Sequence, residues 1–343
     1  MKSKKWTIAF LFLLLAKFSS AQPKPIDDKE FFKDDKIIEV KFSTDMKGLL
    51  AEKTDLNYIG ATMSFKFQDG TVASGPVKVK PRGKFRKKQC SISSLMIDFK
   101  NPASPAFSKL GTLKLVGGCN ATASYEQYLL KEYLIYKMYN MLTDLSFRVR
   151  LIHVNYSDTK GKIKVYDQYA FLMEDVDDLA KRHKCQEKEI ARYSPAVMRR
   201  DETTLFYLFQ YMIGNTDWSI PYYHNVKLLV DKKDTLSFPY PIAYDFDYCG
   251  LVNPPYGDPP PDLGITHLTQ RLYRGYERSI DEIEVTVKSF LEKEESFYAL
   301  INNFDLLTTG SKKEMINFLK EFYSEIKNKK TLKWIFVDNA LKN

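Results

Sequence analysis

The chain has 343 residues, of which 44% are hydrophobic and 14% aromatic, enough apolar material to bury a sizeable core. Its formal charge of +9 is too dispersed to indicate a nucleic-acid-binding protein. Four cysteines (Cys90, Cys119, Cys185 and Cys249) lie far apart without CxxC spacing, which argues against a zinc site or a dense disulfide framework and leaves room for one disulfide.

The first 21 residues predict a cleavable signal peptide. Three lysines precede an apolar run over residues 6–16, which is too short to span a bilayer, and small residues lead to a cleavage site after Ala21. The leader carries four lysines and no acidic residue, so the formal charge of the remaining chain falls from +9 to +5. We therefore expect an exported protein, periplasmic or extracellular, without a stable membrane span. An uncleaved membrane anchor is the alternative.

The first third after the leader has the alternation of β-strands, broken by turn signals such as Asp69-Gly70 and Pro81-Arg82-Gly83. This pattern predicts a mostly antiparallel sheet. The predicted strands cover residues 37–42, 61–67, 77–80, 95–99 and 112–116.

At residue 124 the apolar period changes to three and four residues, which predicts one long helix over 124–142. Two further strands follow, and the rest of the chain is mainly helical. No Pro/Ser-rich linker separates independent units. The pattern predicts an α+β protein with a β-rich N-terminal lobe (22–175) that includes the long helix, and a helical C-terminal lobe (176–343).

Two short segments carry the residues best suited to chemistry. Asp217 follows an apolar helix, and Asn225 comes eight positions later, before an apolar strand. Asp245 and Asp247 end a short apolar strand about twenty residues downstream. Phosphoryl transfer needs a carboxylate that accepts or orients a hydroxyl proton, and oxygen ligands for Mg²⁺ or Mn²⁺. Asp217 is the predicted base. Asn225, Asp245 and Asp247 are the predicted metal ligands, and Asp245 is expected to be the main one. The alternative is that these Asp and Asn residues only stabilise turns.

These parts resemble, in their order and spacing, the protein-kinase-like superfamily, and most closely the spore coat protein H (CotH) kinase family and related exported atypical kinases. The resemblance covers roughly residues 75–255. Asn215-Thr216-Asp217 stands where ordinary protein kinases have His-Arg-Asp, and Asp245-Phe246-Asp247 where they have Asp-Phe-Gly. A GxGxxG loop is missing. The resemblance implies a two-lobed protein-kinase-like fold.

The resemblance also implies roles for four residues that bind the nucleotide. Lys114 would contact its phosphates, and Glu132, with Glu126 as runner-up, would hold that lysine. Arg82 belongs to a basic turn (82–88) that would cover the phosphates, and Glu174 lies where such proteins place the adenine hinge. Solvated surface charges, and an acidic helix N-terminus at Glu174, are the plainer interpretations.

The function implied is that of an exported kinase, which transfers phosphate from metal-bound ATP to a hydroxyl of an exported protein or envelope molecule. The proline-rich stretch 253–262 is the candidate for acceptor recognition, with an ordered crossing loop as the plainer interpretation. His224 is interpreted as a packed loop residue, and positioning of Asn225 or a phosphate is the alternative. A non-catalytic, kinase-shaped binding or adaptor protein of the cell envelope is the main alternative. A glycan hydrolase is a weaker one, because the chain has only three tryptophans.

Overall fold

A computed structural model describes residues 25–52, 57–83, 94–100, 104–120, 122–189 and 192–342. The predicted signal peptide, residues 84–88 of the predicted basic turn, and Cys90 lie outside the described residues. Within the described ranges, no helix is long and apolar enough to cross a membrane. Cys119 is disulfide-bonded, and Cys185 and Cys249 are buried free thiols.

Seven strands form a closed barrel in the order β1-β2-β3-β4-β5-β7-β6. Six of the seven pairings are antiparallel, and the barrel closes through a parallel pairing of β1 with β6 that places Ile38 opposite Ile152. The strands are β1 (Ile38–Thr44), β2 (Ile59–Lys66), β3 (Val72–Arg82), β4 (Ser94–Asp98), β5 (Thr112–Gly117), β6 (Val149–Asp158) and β7 (Tyr166–Met173).

The predicted fold class, a two-lobed protein-kinase-like fold with an antiparallel β lobe, is wrong. The strands close into a mixed barrel, because β1 pairs in parallel with β6. Alternation of apolar residues predicts that a segment is a strand and which face is buried, but a pairing between segments so far apart along the chain leaves no local signal.

Alternating side chains divide the barrel wall between two apolar cores. On β5, Leu113 and Leu115 belong to the core inside the barrel, whereas Val116 belongs to the core outside it. Lys114 therefore stands on the outer face, toward the helical part of the molecule.

Eight helices and a second sheet occupy the rest of the described chain. The predicted long helix is confirmed as α3, and it packs against α6 as well as against β6 and β7, so one core joins the barrel wall to the C-terminal helices. The helices are α1 (Asp28–Lys33), α2 (Met46–Ala51), α3 (Ala123–Leu142), α4 (Val176–Arg182), α5 (Arg200–Met212), α6 (Ile280–Asn302), α7 (Thr309–Lys327) and α8 (Lys329–Lys333). The second sheet has the order β10-β9-β8, from β8 (Cys185–Glu187), β9 (Val226–Asp231) and β10 (Tyr240–Ala243).

Candidate functional site

Asp217 lies in the loop after α5, and its carboxylate is held from two sides. His224 Nε2 lies 2.7 Å from one carboxylate oxygen. Asn225 Nδ2 donates to the other oxygen at 3.0 Å and to the Asp217 carbonyl at 2.8 Å. The loop itself is fixed because the Asp217 N–H donates to Asn215 Oδ1 at 2.9 Å. The Asp217 side chain remains 32% exposed, so its position is fixed while it stays accessible to a substrate.

The β9–β10 hairpin places Asn225 beside the residues that precede Asp245. Val226 lies opposite Ala243 in the antiparallel register, and the Tyr244 N–H donates to the Asn225 carbonyl at 3.2 Å. Asp245 is the next residue and is exposed. The sequence-predicted carboxylate Asp217, its hydrogen-bonded neighbour Asn225, and Asp245 therefore meet at one end of this hairpin.

The backbone at this end is in the left-handed region at two non-glycine residues, Asn225 with φ 52° and Asp245 with φ 64°. Asparagine and aspartate adopt this conformation more readily than other non-glycine residues, but only glycine adopts it freely. The Asp245 N–H donates to the Tyr136 hydroxyl at 2.8 Å, and the adjacent Phe246 ring packs 4.7 Å from the Tyr136 ring, so buried groups of α3 hold the strained turn. Strain of this kind is concentrated at functional sites.

Lys114 is 5% exposed, and its ammonium lies against aromatic rings. Its Nζ is 5.0 Å from the centre of the Phe147 ring and 5.9 Å from the centre of the Tyr244 ring. Tyr244 immediately precedes Asp245, so the ammonium lies near a direct chain neighbour of that aspartate. Within the described part of the chain it makes no ion pair or hydrogen bond. The pKa of Lys114 is lowered to about 8, chiefly by burial and also by the positive charges of Arg82 and Lys227, against the opposing effect of Asp175 and Glu187.

Arg82 and Lys227 bring positive charge close to Lys114, whereas Asp175 and Glu187 bring negative charge. The charge of Arg82 acts on Lys114, Tyr136 and Tyr244, so its guanidinium faces the same place from β3. Lys227 approaches from β9 and is paired with Glu187 at 2.5 Å. Three cationic side chains from three strands thus lie near Tyr244, and of these Lys114 and Arg82 are suited to bind phosphate groups.

Glu132 and Asp247 line a small cavity together with Gly117–Cys119. Tyr136 lies between this side and Asp245, since the charges of both Glu132 and Asp245 act on it. Glu132 is buried on α3, and its charge acts on Tyr136 and Cys249. Among the described residues no ion pair joins Lys114 to Glu132. The runner-up, Glu126, accepts a hydrogen bond from the Tyr169 N–H at 3.3 Å.

Glu174 is the centre of a buried ion-pair network. It is fully buried and accepts hydrogen bonds from Arg148 Nε at 3.0 Å and from Arg182 Nε at 3.1 Å. A carboxylate clamped by two arginines joins β7 to β6 and α4. Its side chain is thus engaged in holding elements together, as expected for a buried charge that is paired.

The donor set at the hairpin end fits a magnesium ion held jointly with substrate phosphates. No group of three or more His, Cys, Asp or Glu suited to a metal occurs among the described residues. Mg²⁺ is commonly bound by one or two carboxylates plus phosphate oxygens and water. Asn225 uses its Nδ2 on Asp217, which leaves its Oδ1 as a ligand, and Asp245 supplies a carboxylate from the neighbouring turn.

A cavity of about 390 Å³ opens beside Asp217. Pro260, Asp262 and Leu263 line it, so the proline-rich stretch does border the candidate catalytic carboxylate.

Sequence reasoning missed three residues of the candidate site: Lys227, Tyr244 and Arg274. Lys227 and Tyr244 stand beside predicted residues in the sequence, which was the available signal, whereas nothing local marks Arg274, far from the loop along the chain.

Comparison of the chain with models of known families and with curated proteins finds no match.

Proposed function

We propose that this protein transfers a phosphoryl group from a metal-bound nucleotide, ATP being the simplest donor, to a hydroxyl acceptor. One observation carries the proposal. The buried Lys114 ammonium lies 5.9 Å from the Tyr244 ring, at the hairpin end where Asn225 binds Asp217 and Asp245 follows Tyr244. A cation for phosphate, oxygen ligands for a metal and a restrained carboxylate thus occupy neighbouring positions.

Each residue has a role in the proposed transfer. Lys114 and Arg82 bind the nucleotide phosphates, and Asn225 and Asp245 are the residues that would hold the metal ion. When bound, the metal would offset charge on the transferred phosphoryl group. Asp217 accepts the proton of the acceptor hydroxyl as the hydroxyl oxygen bonds to the γ-phosphorus and the bond to the nucleoside diphosphate breaks. Asp247 and Glu132 lie at a neighbouring cavity, from which Asp247 would reach a second metal.

We further propose that the acceptor is a hydroxyl on an exported protein or an envelope molecule. Support comes from residues 1–21, whose basic start and short apolar run have the form of a signal peptide. The nucleotide is then a ligand that the protein must meet outside the cytoplasm.

Transfer of labelled phosphate from ATP to an envelope extract tests the proposal. We expect Asp217→Ala to reduce labelling by about 100-fold or more, because general-base catalysis is worth that much. Asp245→Asn should reduce it as well, while Asp305→Ala, which removes an exposed carboxylate far from the hairpin in sequence, should leave it unchanged. Equal labelling by all four proteins would contradict the catalytic assignment. Metal-dependent binding of ATP without any labelling would favour a binding protein.

A further inference from the structure

The cavity beside Asp217 has features that indicate what it binds. Its volume is about 390 Å³, enough for a side chain with its neighbouring backbone. Asp217 and His224 form one part of its wall, and Arg274 another. The exposed ring of Tyr222 lies at the edge and Pro260 on the proline-rich side. A ligand in this cavity meets a candidate base and a guanidinium at once.

Arg274 is fixed in a way that leaves one edge of its guanidinium available. Nη1 donates to the carbonyls of Thr216 and Trp218, the second at 2.8 Å, and the guanidinium carbon stands 5.1 Å from the centre of the Trp218 ring. Nε and Nη2 donate to no group in the described part of the chain, and Arg274 forms no ion pair there. This is a rigid fork with two free donors, the geometry that binds a carboxylate or phosphate in bidentate fashion.

Two carboxylates, Asp262 and Asp217, act on Arg274 through space. Each of them would compete with an anionic ligand for the positive charge of Arg274. Asp262 is exposed to solvent on the proline-rich loop, so water and salt screen it. Asp217 is occupied by His224 and Asn225. A second cation, Arg192, stands 5.8 Å from the Tyr222 ring at the mouth. An anionic ligand would therefore stabilise the partly desolvated charge of Arg274 more than a neutral ligand would.

We infer that this cavity is the acceptor subsite and that it selects an acidic peptide, one whose hydroxyl residue has a nearby Asp or Glu carboxylate for Arg274. The inference rests on the proposed function for the hydroxyl, but the carboxylate contact is independent of transfer. A peptide is favoured over a glycan because Trp218, the tryptophan at this cavity, is buried and covered by Arg274, leaving no indole face for a sugar.

Peptide binding in the absence of nucleotide tests the inference separately from catalysis. The probe is a fluorescein-labelled decapeptide with a central serine between glutamates, and its control has glutamine at each glutamate position. We expect the acidic peptide to bind more tightly, and Arg274→Gln to weaken it by about tenfold, as for the loss of a charge-assisted hydrogen bond. Arg192→Gln should weaken it by less, since this cation is exposed.

Asp262→Asn is the decisive variant, because it alters an exposed carboxylate and leaves the loop contacts of Arg274 in place. It should tighten binding of the acidic peptide about two- to threefold. Weaker binding of the acidic peptide to Asp262→Asn, or no preference of the wild type for glutamate over glutamine, would overturn the inference. If nucleotide binding fails while the peptide results hold, the proposed transfer is wrong and the acidic subsite stands.

Discussion

At the scale of single residues, Lys114 is the most informative side chain of the molecule. A buried ammonium without an ion-pair partner in the described chain is costly, because burial disfavours the charged form. The nearby Arg82 and Lys227 increase that cost. Such a group destabilises the free protein and is explained if a polyanion neutralises it in the bound state.

The variant Lys114→Met should therefore be more stable than the wild type while losing nucleotide binding. The pKa of Lys114 is about 8 in the folded chain against 10.5 in the unfolded one. This difference corresponds to roughly 3 kcal/mol. Because the folded pKa is the lower one, the penalty is fully present below pH 8 and is relieved as pH rises toward 10.5. Denaturant unfolding at pH 7 and pH 10 measures the gain and its decline.

Lys131 provides the matched control. It is as buried as Lys114 but is paired with Glu314 at 2.8 Å. Lys131→Met should not raise the free energy of unfolding at pH 7, in contrast to Lys114→Met. A pH-independent effect of Lys114→Met would show that the lysine is not a desolvated cation in the folded protein.

At the scale of elements, the β9–β10 hairpin organises the site. Its register fixes Asn225 next to Tyr244. Asn225 and Asp245 both have left-handed backbone conformations at this end of the hairpin. Tyr136 and Phe246 support that turn from the α3 side. A non-glycine residue in this conformation costs free energy, and the metal binding proposed for Asp245 would be a functional reason for it.

Asp245→Gly tests whether the turn is strained for function. Glycine adopts positive φ freely, so we expect the variant to be as stable as the wild type or up to about 1 kcal/mol more stable. Metal-dependent nucleotide binding should be lost. Urea unfolding and binding titrations measure the two effects, and Asp245→Ala, which keeps the strain and lacks the carboxylate, is the comparison. A loss of stability in Asp245→Gly beyond that of Asp245→Ala would count against stored strain.

Sequence reasoning predicted the elements and the hairpin residues well, for a physical reason. Alternation marked β5, an apolar run marked β9, and the change of period marked α3 to within a residue or two. The predicted Lys114–Glu132 ion pair is not formed among the described residues, where the Lys114 ammonium lies against the Phe147 and Tyr244 rings. Propensity and spacing carry no information about which distant strand β5 faces.

At the scale of the whole molecule, barrel closure decides where the site lies. The core outside the barrel contains residues of the barrel wall and of the C-terminal helices, so the two parts stabilise each other. This shared core holds Lys114 on β5 against the hairpin of the second sheet. The interior core is formed by the opposite faces of the strands together with residues of α1 and α2.

Phe171→Ala should show that the two parts unfold together. Phe171 is fully buried on β7, with its ring 5.5 Å from that of Tyr136 on α3. We expect a loss of about 3–5 kcal/mol in a single cooperative transition, seen alike by near-UV and far-UV circular dichroism. Tyr222→Ala, at a ring that is 69% exposed, should change stability little. Two separate transitions for Phe171→Ala would mean that the barrel and helices are independent.

Binding of ATP with Mg²⁺, followed by thermal shift, tests most directly whether Lys114 and Asp245 serve one ligand. The wild type should be stabilised by about 2.7 kcal/mol at a ligand concentration about 100-fold above Kd. Lys114→Met should melt at a higher temperature than the wild type without ligand, and neither it nor Asp245→Asn should gain from ATP. Equal shifts in all three proteins, or no shift of the wild type with any nucleotide and divalent cation, would contradict the account.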